Sequence, residues 1–136
     1  MKLQLGFLFI VITLLSCNKD REDRIPEVYV NYHITLQEFN IKNKNGVLLV
    51  NNTGVAGLII YRRPDNVFVA YDRCSSVNPQ QKCAVIPDEP SLTATDPCSG
   101  AKFSLYDGSP VKAPAKRPLK EYQVIITNFD AITVIN

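Results

Sequence analysis

Asp96–Tyr122 reads DPCSGAKFSLYDGSPVKAPAKRPLKEY, and how this stretch divides decides the fold of the chain. Asp107-Gly108 is a turn pair, and Pro110, Pro114 and Pro118 stiffen the segment after it. Phe103, Leu105, Leu119 and Tyr122 are the residues left to pack a scaffold. Lys112, Lys116 and Lys120 are spaced four apart, but the prolines between them forbid the helix that such spacing would outline. These lysines therefore read as solvated charges on a loop. The stretch predicts short strands joined by stiff loops.

The same grammar extends upstream. Val28, Val30, Tyr32, Ile34 and Leu36 alternate with Tyr29, Asn31, His33 and Thr35, the period-two pattern of a half-buried strand, with no competing helical pattern. His33 is the only histidine and falls on the polar face of that strand. Asn45-Gly46 turns into Val47–Val50, Thr53-Gly54 precedes Val55–Tyr61, and Pro64-Asp65-Asn66 leads into Val67–Tyr71, which reads as two hairpins. Tyr122–Thr127 and Ala131–Ile135 flank Asn128-Phe129-Asp130 as a closing hairpin. The fold class predicted is all-β.

With 136 residues, 46% of them hydrophobic, the chain fits a single domain that buries roughly two thirds of its unfolded surface. The formal charge is +2, or +1 once Lys2 is removed with residues 1–16. A field of that size gives no footing to a nucleic-acid partner, and Tyr29, Tyr61, Tyr71 and Tyr106 lie in or beside apolar runs rather than among arginines.

The N-terminus speaks to the compartment. Met1-Lys2 is a short positive start, Leu3–Leu15 is apolar apart from Gln4 and Thr13, and the run ends in Leu14-Leu15-Ser16-Cys17. It is too short for a comfortable membrane span and suits a signal peptide. Its ending resembles a bacterial lipobox. Residues 1–16 are thus read as a lipoprotein signal peptide, Cys17 as the lipidated residue, and 17–26 as a charged tether. The expected location is exported and lipid-anchored, at the outer membrane on its periplasmic or surface side.

The order Pro97-Cys98-Ser99-Gly100-Ala101, Phe103, Asp107-Gly108, Ala113-Pro114-Ala115 and Pro118-Leu119 to Tyr122 resembles the second half of a Rieske [2Fe-2S] domain. The likeness extends to Leu58–Cys74 and does not reach residues 1–50. It implies a Rieske-like domain over 27–136, made of stacked antiparallel sheets with a two-loop cluster-binding-type subdomain. In that family the loops carry C-x-H and C-x-x-H, two cysteines on one iron and two histidines on the other. Here Cys74 matches the first cysteine, Ser76 the first histidine, Asp96 the second cysteine and Ser99 the second histidine. The resemblance therefore makes these four vestigial cluster-ligand positions.

Family members of the respiratory type carry one further cysteine in each loop, joined as a disulfide. Cys98 matches one without adjustment, and Cys83 matches the other if the first loop carries an insertion within Val77–Lys82. The resemblance thus implies a Cys83–Cys98 bridge, while the cysteine count alone leaves Cys74–Cys98 and Cys74–Cys83 open. No metal and no cofactor are expected on this ligand set, with a [2Fe-2S] cluster on unconventional ligands as the alternative. A nucleophilic serine lacks a general base nearby. The functional expectation is a non-enzymatic, membrane-anchored Rieske-like lipoprotein acting as an interaction or structural module with an unknown protein partner. An electron-transfer protein is the alternative, and a thiol-redox role for Cys74 stands third.

Overall fold

The structure is a computed structural model and describes residues 24–128 and 130–136. The signal peptide predicted for 1–16, Cys17 and the tether up to residue 23 lie outside the described residues.

Among the described residues, ten strands form two sheets. In chain order they are β1 (Asn31–Thr35), β2 (Val47–Val50), β3 (Leu58–Arg62), β4 (Phe68–Asp72), β5 (Ile86–Pro87), β6 (Thr93–Thr95), β7 (Lys102–Ser104), β8 (Pro110–Lys112), β9 (Glu121–Thr127) and β10 (Ala131–Ile135). The larger sheet runs β1-β10-β9-β4-β3-β2 and the smaller runs β5-β6-β7-β8, with every pairing antiparallel. Only Ala70–Tyr122 and Tyr71–Glu121 join β4 to β9, so the larger sheet behaves as two triplets linked over two residues.

β3 explains the layering. Its residues Leu58, Ile59, Ile60 and Tyr61 are all buried, a continuous apolar run that only a strand covered on both faces can use. Leu58 and Ile60 point into one core with Val30, Phe39, Ile132 and Val134. Ile59 and Tyr61 point into another with Tyr71, Val85, Phe103, Leu105 and Leu119. The triplet β2-β3-β4 is therefore a shared middle layer. Each fully buried aliphatic side chain here contributes about 1.5–3 kcal/mol.

One expectation fails. Leu36 does not continue the first strand but opens a helix, α1 (Leu36–Lys42), with Thr35 as its N-cap accepting from the Glu38 N–H at 3.1 Å. The capping spacing Thr35-x-x-Glu38 is a helix-start signal that the alternation upstream masks. Burying Phe39 edge-on against Phe68, centroids 5.1 Å apart, fixes the helix to the core. His33 is exposed on β1, its Nδ1 2.9 Å from Thr133 Oγ1.

At the end of β4, Asp72 is fully buried. Its carboxylate accepts from Val55 N–H at 2.6 Å, Ala56 N–H at 3.1 Å, Cys74 N–H at 2.8 Å and the Tyr122 hydroxyl at 2.8 Å. Burial, followed by that bond to Asp72, holds the Tyr122 phenol above its ordinary range. Gly54 sits at φ +74° so close that a Cβ would lie 2.5 Å from Asp72 Oδ2, which only glycine avoids. Because Asp72→Ala strands several buried donors at once, it is expected to cost at least about 3 kcal/mol in urea unfolding, against about 1 kcal/mol for Tyr122→Phe.

Candidate functional site

Two loops leave the middle and smaller layers at the same end of the molecule. The first leaves β4 through Arg73–Lys82, with a short 3-10 turn at Pro79–Gln81, and the second is the turn Asp96–Gly100 between β6 and β7. A backbone bond from Ser75 N–H to the Cys83 carbonyl and an isolated bridge between Cys74 and Ala84 fold the first loop back on itself. Cys83 and Cys98 are joined by a disulfide that ties the loops together. The proline-rich segment 111–118 lies over them, and Ser76 Oγ donates to the Arg117 carbonyl at 2.7 Å.

Asp96 organises the tip. Its carboxylate is fully buried and accepts from Ser99 Oγ at 2.6 Å, Ser75 Oγ at 2.7 Å and Cys98 N–H at 2.8 Å. Burial alone would raise its pKa, but these donors outweigh that and hold the carboxyl below its usual range. Of the two serines matched to ligand histidines, Ser76 and Ser99, only one contacts Asp96. Ser99 reaches Asp96, whereas the second partner is Ser75, a residue that the sequence pattern does not single out. Ser76 turns to the covering segment instead.

Cys74 is the free cysteine among the described residues and is fully buried. Burial, with the charge of Asp72 adding to it, pushes the thiol up to about 11. A thiol that stays protonated and out of solvent is inert, so the thiol-redox reading of Cys74 is dropped. Cys98 is exposed. Cys83 and Cys98 fall with Asp96 into one cluster of metal-ligating side chains, yet both sulfurs are consumed in the bridge.

No protein-family model matches the chain, and no curated protein matches its sequence. Solved structures do match. The plasma-membrane Rieske protein of the cyanobacterium Synechocystis PCC 6803 is 22% identical, with a TM-score of 0.57 over 79% of this chain and 98% of its own. The fold is Rieske-like. The ferredoxin of carbazole 1,9a-dioxygenase from Nocardioides aromaticivorans IC177 is 15% identical, TM-score 0.50, over 79% of this chain and 97% of its own. The Sphingomonas yanoikuyae B1 ferredoxin is likewise 15% identical, TM-score 0.50, over 69% of this chain and 88% of its own.

These neighbours correct the expectation that no cofactor belongs to this chain. The shared architecture is that of a Rieske protein and of ferredoxins, a framework associated with [2Fe-2S] centres, so freedom from a cofactor cannot be drawn from the fold. What the residues settle is narrower: they do not fit the two-cysteine, two-histidine ligand set. Ser76 and Ser99 are hydroxyls already donating to Arg117 and Asp96, both oxygens of Asp96 are engaged, and His33 stands on edge strand β1.

Two substitutions probe how the tip is held. The loop between the bridged cysteines closes over 15 residues of sequence separation, so Cys98→Ser is expected to lower stability by about 3 kcal/mol in urea unfolding under non-reducing conditions. With its folded pKa lowered, the contribution of Asp96 is fully present above the unfolded value of about 3.9 and is lost as pH falls through the lower folded value. Asp96→Asn should therefore flatten the acid limb of a stability-versus-pH curve below about pH 4 while weakening the fold near neutrality.

Proposed function

We propose that the chain is a non-enzymatic lipoprotein, exported and held to a bacterial membrane through acylated Cys17, that uses a Rieske-like scaffold as an interaction module. One observation carries the reading. At the positions where the likeness places cluster ligands, the side chains are tied to one another and to the covering segment, and between them opens a cleft of about 440 Å³. Ser76, Asn78, Ser99, Pro114, Lys116 and Arg117 are among the residues lining it.

The chemistry of the cleft suits contact rather than turnover. Its hydroxyls have no histidine or free carboxylate to act as a base, since the Asp96 oxygens are occupied by their donors and Cys74 is buried and protonated. Lys116, on its lining, makes an anionic group the complementary contact. The lipobox-like run ending at Cys17 supports the anchor, and acyl chains at about 0.8 kcal/mol per buried methylene would make it permanent.

The test is site-specific photo-cross-linking in cells producing the full chain, with a benzophenone side chain at Pro97 on the second loop or at Val67 at the opposite end of β4. Adducts, to lipid or to protein, are expected from Pro97 and not from Val67. Equal yields from the two positions would sink the module reading. Anaerobic purification with about two irons per chain would instead move the assignment to an electron-transfer protein with unconventional ligands.

A further inference from the structure

The first described residues lie against the loop tip. Arg24, Ile25 and Glu27 line a second cleft together with Ser76, Arg117 and Lys120, so it adjoins the first through Ser76 and Arg117. Lys120 fastens this entry, its Nζ donating to the Glu27 carboxylate at 2.6 Å and to the Pro26 carbonyl at 3.3 Å. The chain thus enters the domain at the tip and not at the far end, where the β3–β4 turn sits.

Length turns that entry point into an orientation. Cys17 and Arg24 are seven residues apart in sequence, at most about 25 Å of fully extended chain. A domain of this size has a radius of gyration on the order of 13 Å, so its far end lies well beyond that reach when the tip is near the anchor. Charge then selects the face. The residues lining the two clefts include the cations Arg24 and Lys116, while Lys120 is paired there with the carboxylate of Glu27. The intervening segment, with Lys19 and Arg21 against Asp20, Glu22 and Asp23, adds no attraction of its own.

We propose that the loop tip of this protein faces the bilayer that holds it, and that Arg24 and Lys116 seat the two adjoining clefts on anionic lipid headgroups. The inference rests on acylation of Cys17, proposed above, and deepens the module reading by naming the partner as the membrane surface. Each basic residue brought to an anionic surface strengthens the contact by roughly fivefold, and the effect fades within a screening length of about 8–10 Å. Two such residues, held by a short tether, are enough to prefer one face.

The chain has no tryptophan, so a single introduced indole reports its own depth. The acylated full-length protein is reconstituted in vesicles carrying a quencher in the headgroup region, with the reporter at the tip as Pro97→Trp or at the far end as Val67→Trp. Val111→Trp, exposed at the start of the covering segment, serves as a second tip reporter if Pro97→Trp fails to fold. In phosphatidylglycerol vesicles the tip reporter is expected to lose emission and the far reporter to keep it. Arg24→Glu with Lys116→Glu, or exchange to phosphatidylcholine, should abolish that difference. Equal emission from both reporters on a protein whose mass shows the acyl chains overturns the orientation alone. A tip loss that persists in phosphatidylcholine overturns the headgroup contact, as does cross-linking of Pro97 to protein and not to lipid. A mature chain lacking the acyl mass removes the anchor and the orientation with it.

Discussion

The buried carboxylate of Asp72 is the constraint on which the arrangement of loops and layers depends. It stands at the end of β4, where the middle layer gives way to the first loop, and four donors from three parts of the chain converge on it. Val55 and Ala56 belong to the β2–β3 connection, Cys74 opens the first loop, and Tyr122 lies on β9. One side chain therefore fixes a turn, a loop start and the contact between two strand triplets that share only two paired positions. A charge in this setting is tolerable because it is fully satisfied, and removing any donor leaves a cost that apolar packing cannot replace.

Asp96 repeats this solution in the second loop. It too is a buried aspartate that gathers a backbone N–H two residues ahead, from Cys98, as Asp72 does from Cys74. To this it adds hydroxyls from both loops, Ser99 and Ser75. The tip is thereby held by short-range polar contacts and one disulfide, while the apolar cores lie behind it on either face of β3. Gly108 shows how closely the layers meet: at φ +75°, an added Cβ would lie 2.9 Å from the Tyr71 ring.

Much of this was legible in the sequence where chemistry is local. Turn pairs such as Asn45-Gly46 and Asp107-Gly108 place the strand boundaries, and the apolar run Val55–Tyr61 marks a strand, whose burial on both faces emerges only once the layers are stacked. α1 was hidden because its seven residues are too few to show a helical face, leaving only the Thr35 and Glu38 capping spacing as a signal. Asp72 was invisible as an organiser, since nothing in Tyr-Asp-Arg-Cys says that its partners lie 17 and 50 residues away. Ser75 and Ser76 differ only in which side of the loop they face, and register settles that. Whether a cofactor accompanies the fold was beyond the motif, because altered ligand positions describe one ligand set and not every way the scaffold can be used.

The double burial of β3 has a bearing on how such a protein can change. Its alternate residues serve two different cores, so every position along it carries packing cost in one or the other, whereas the tip is held chiefly by hydrogen bonds. Sites with no shared partners respond independently to mutation. The molecule is in that sense modular in its heritable cost: new surface chemistry at exposed loop positions leaves both cores intact, so long as Asp96, its donors and the disulfide are kept.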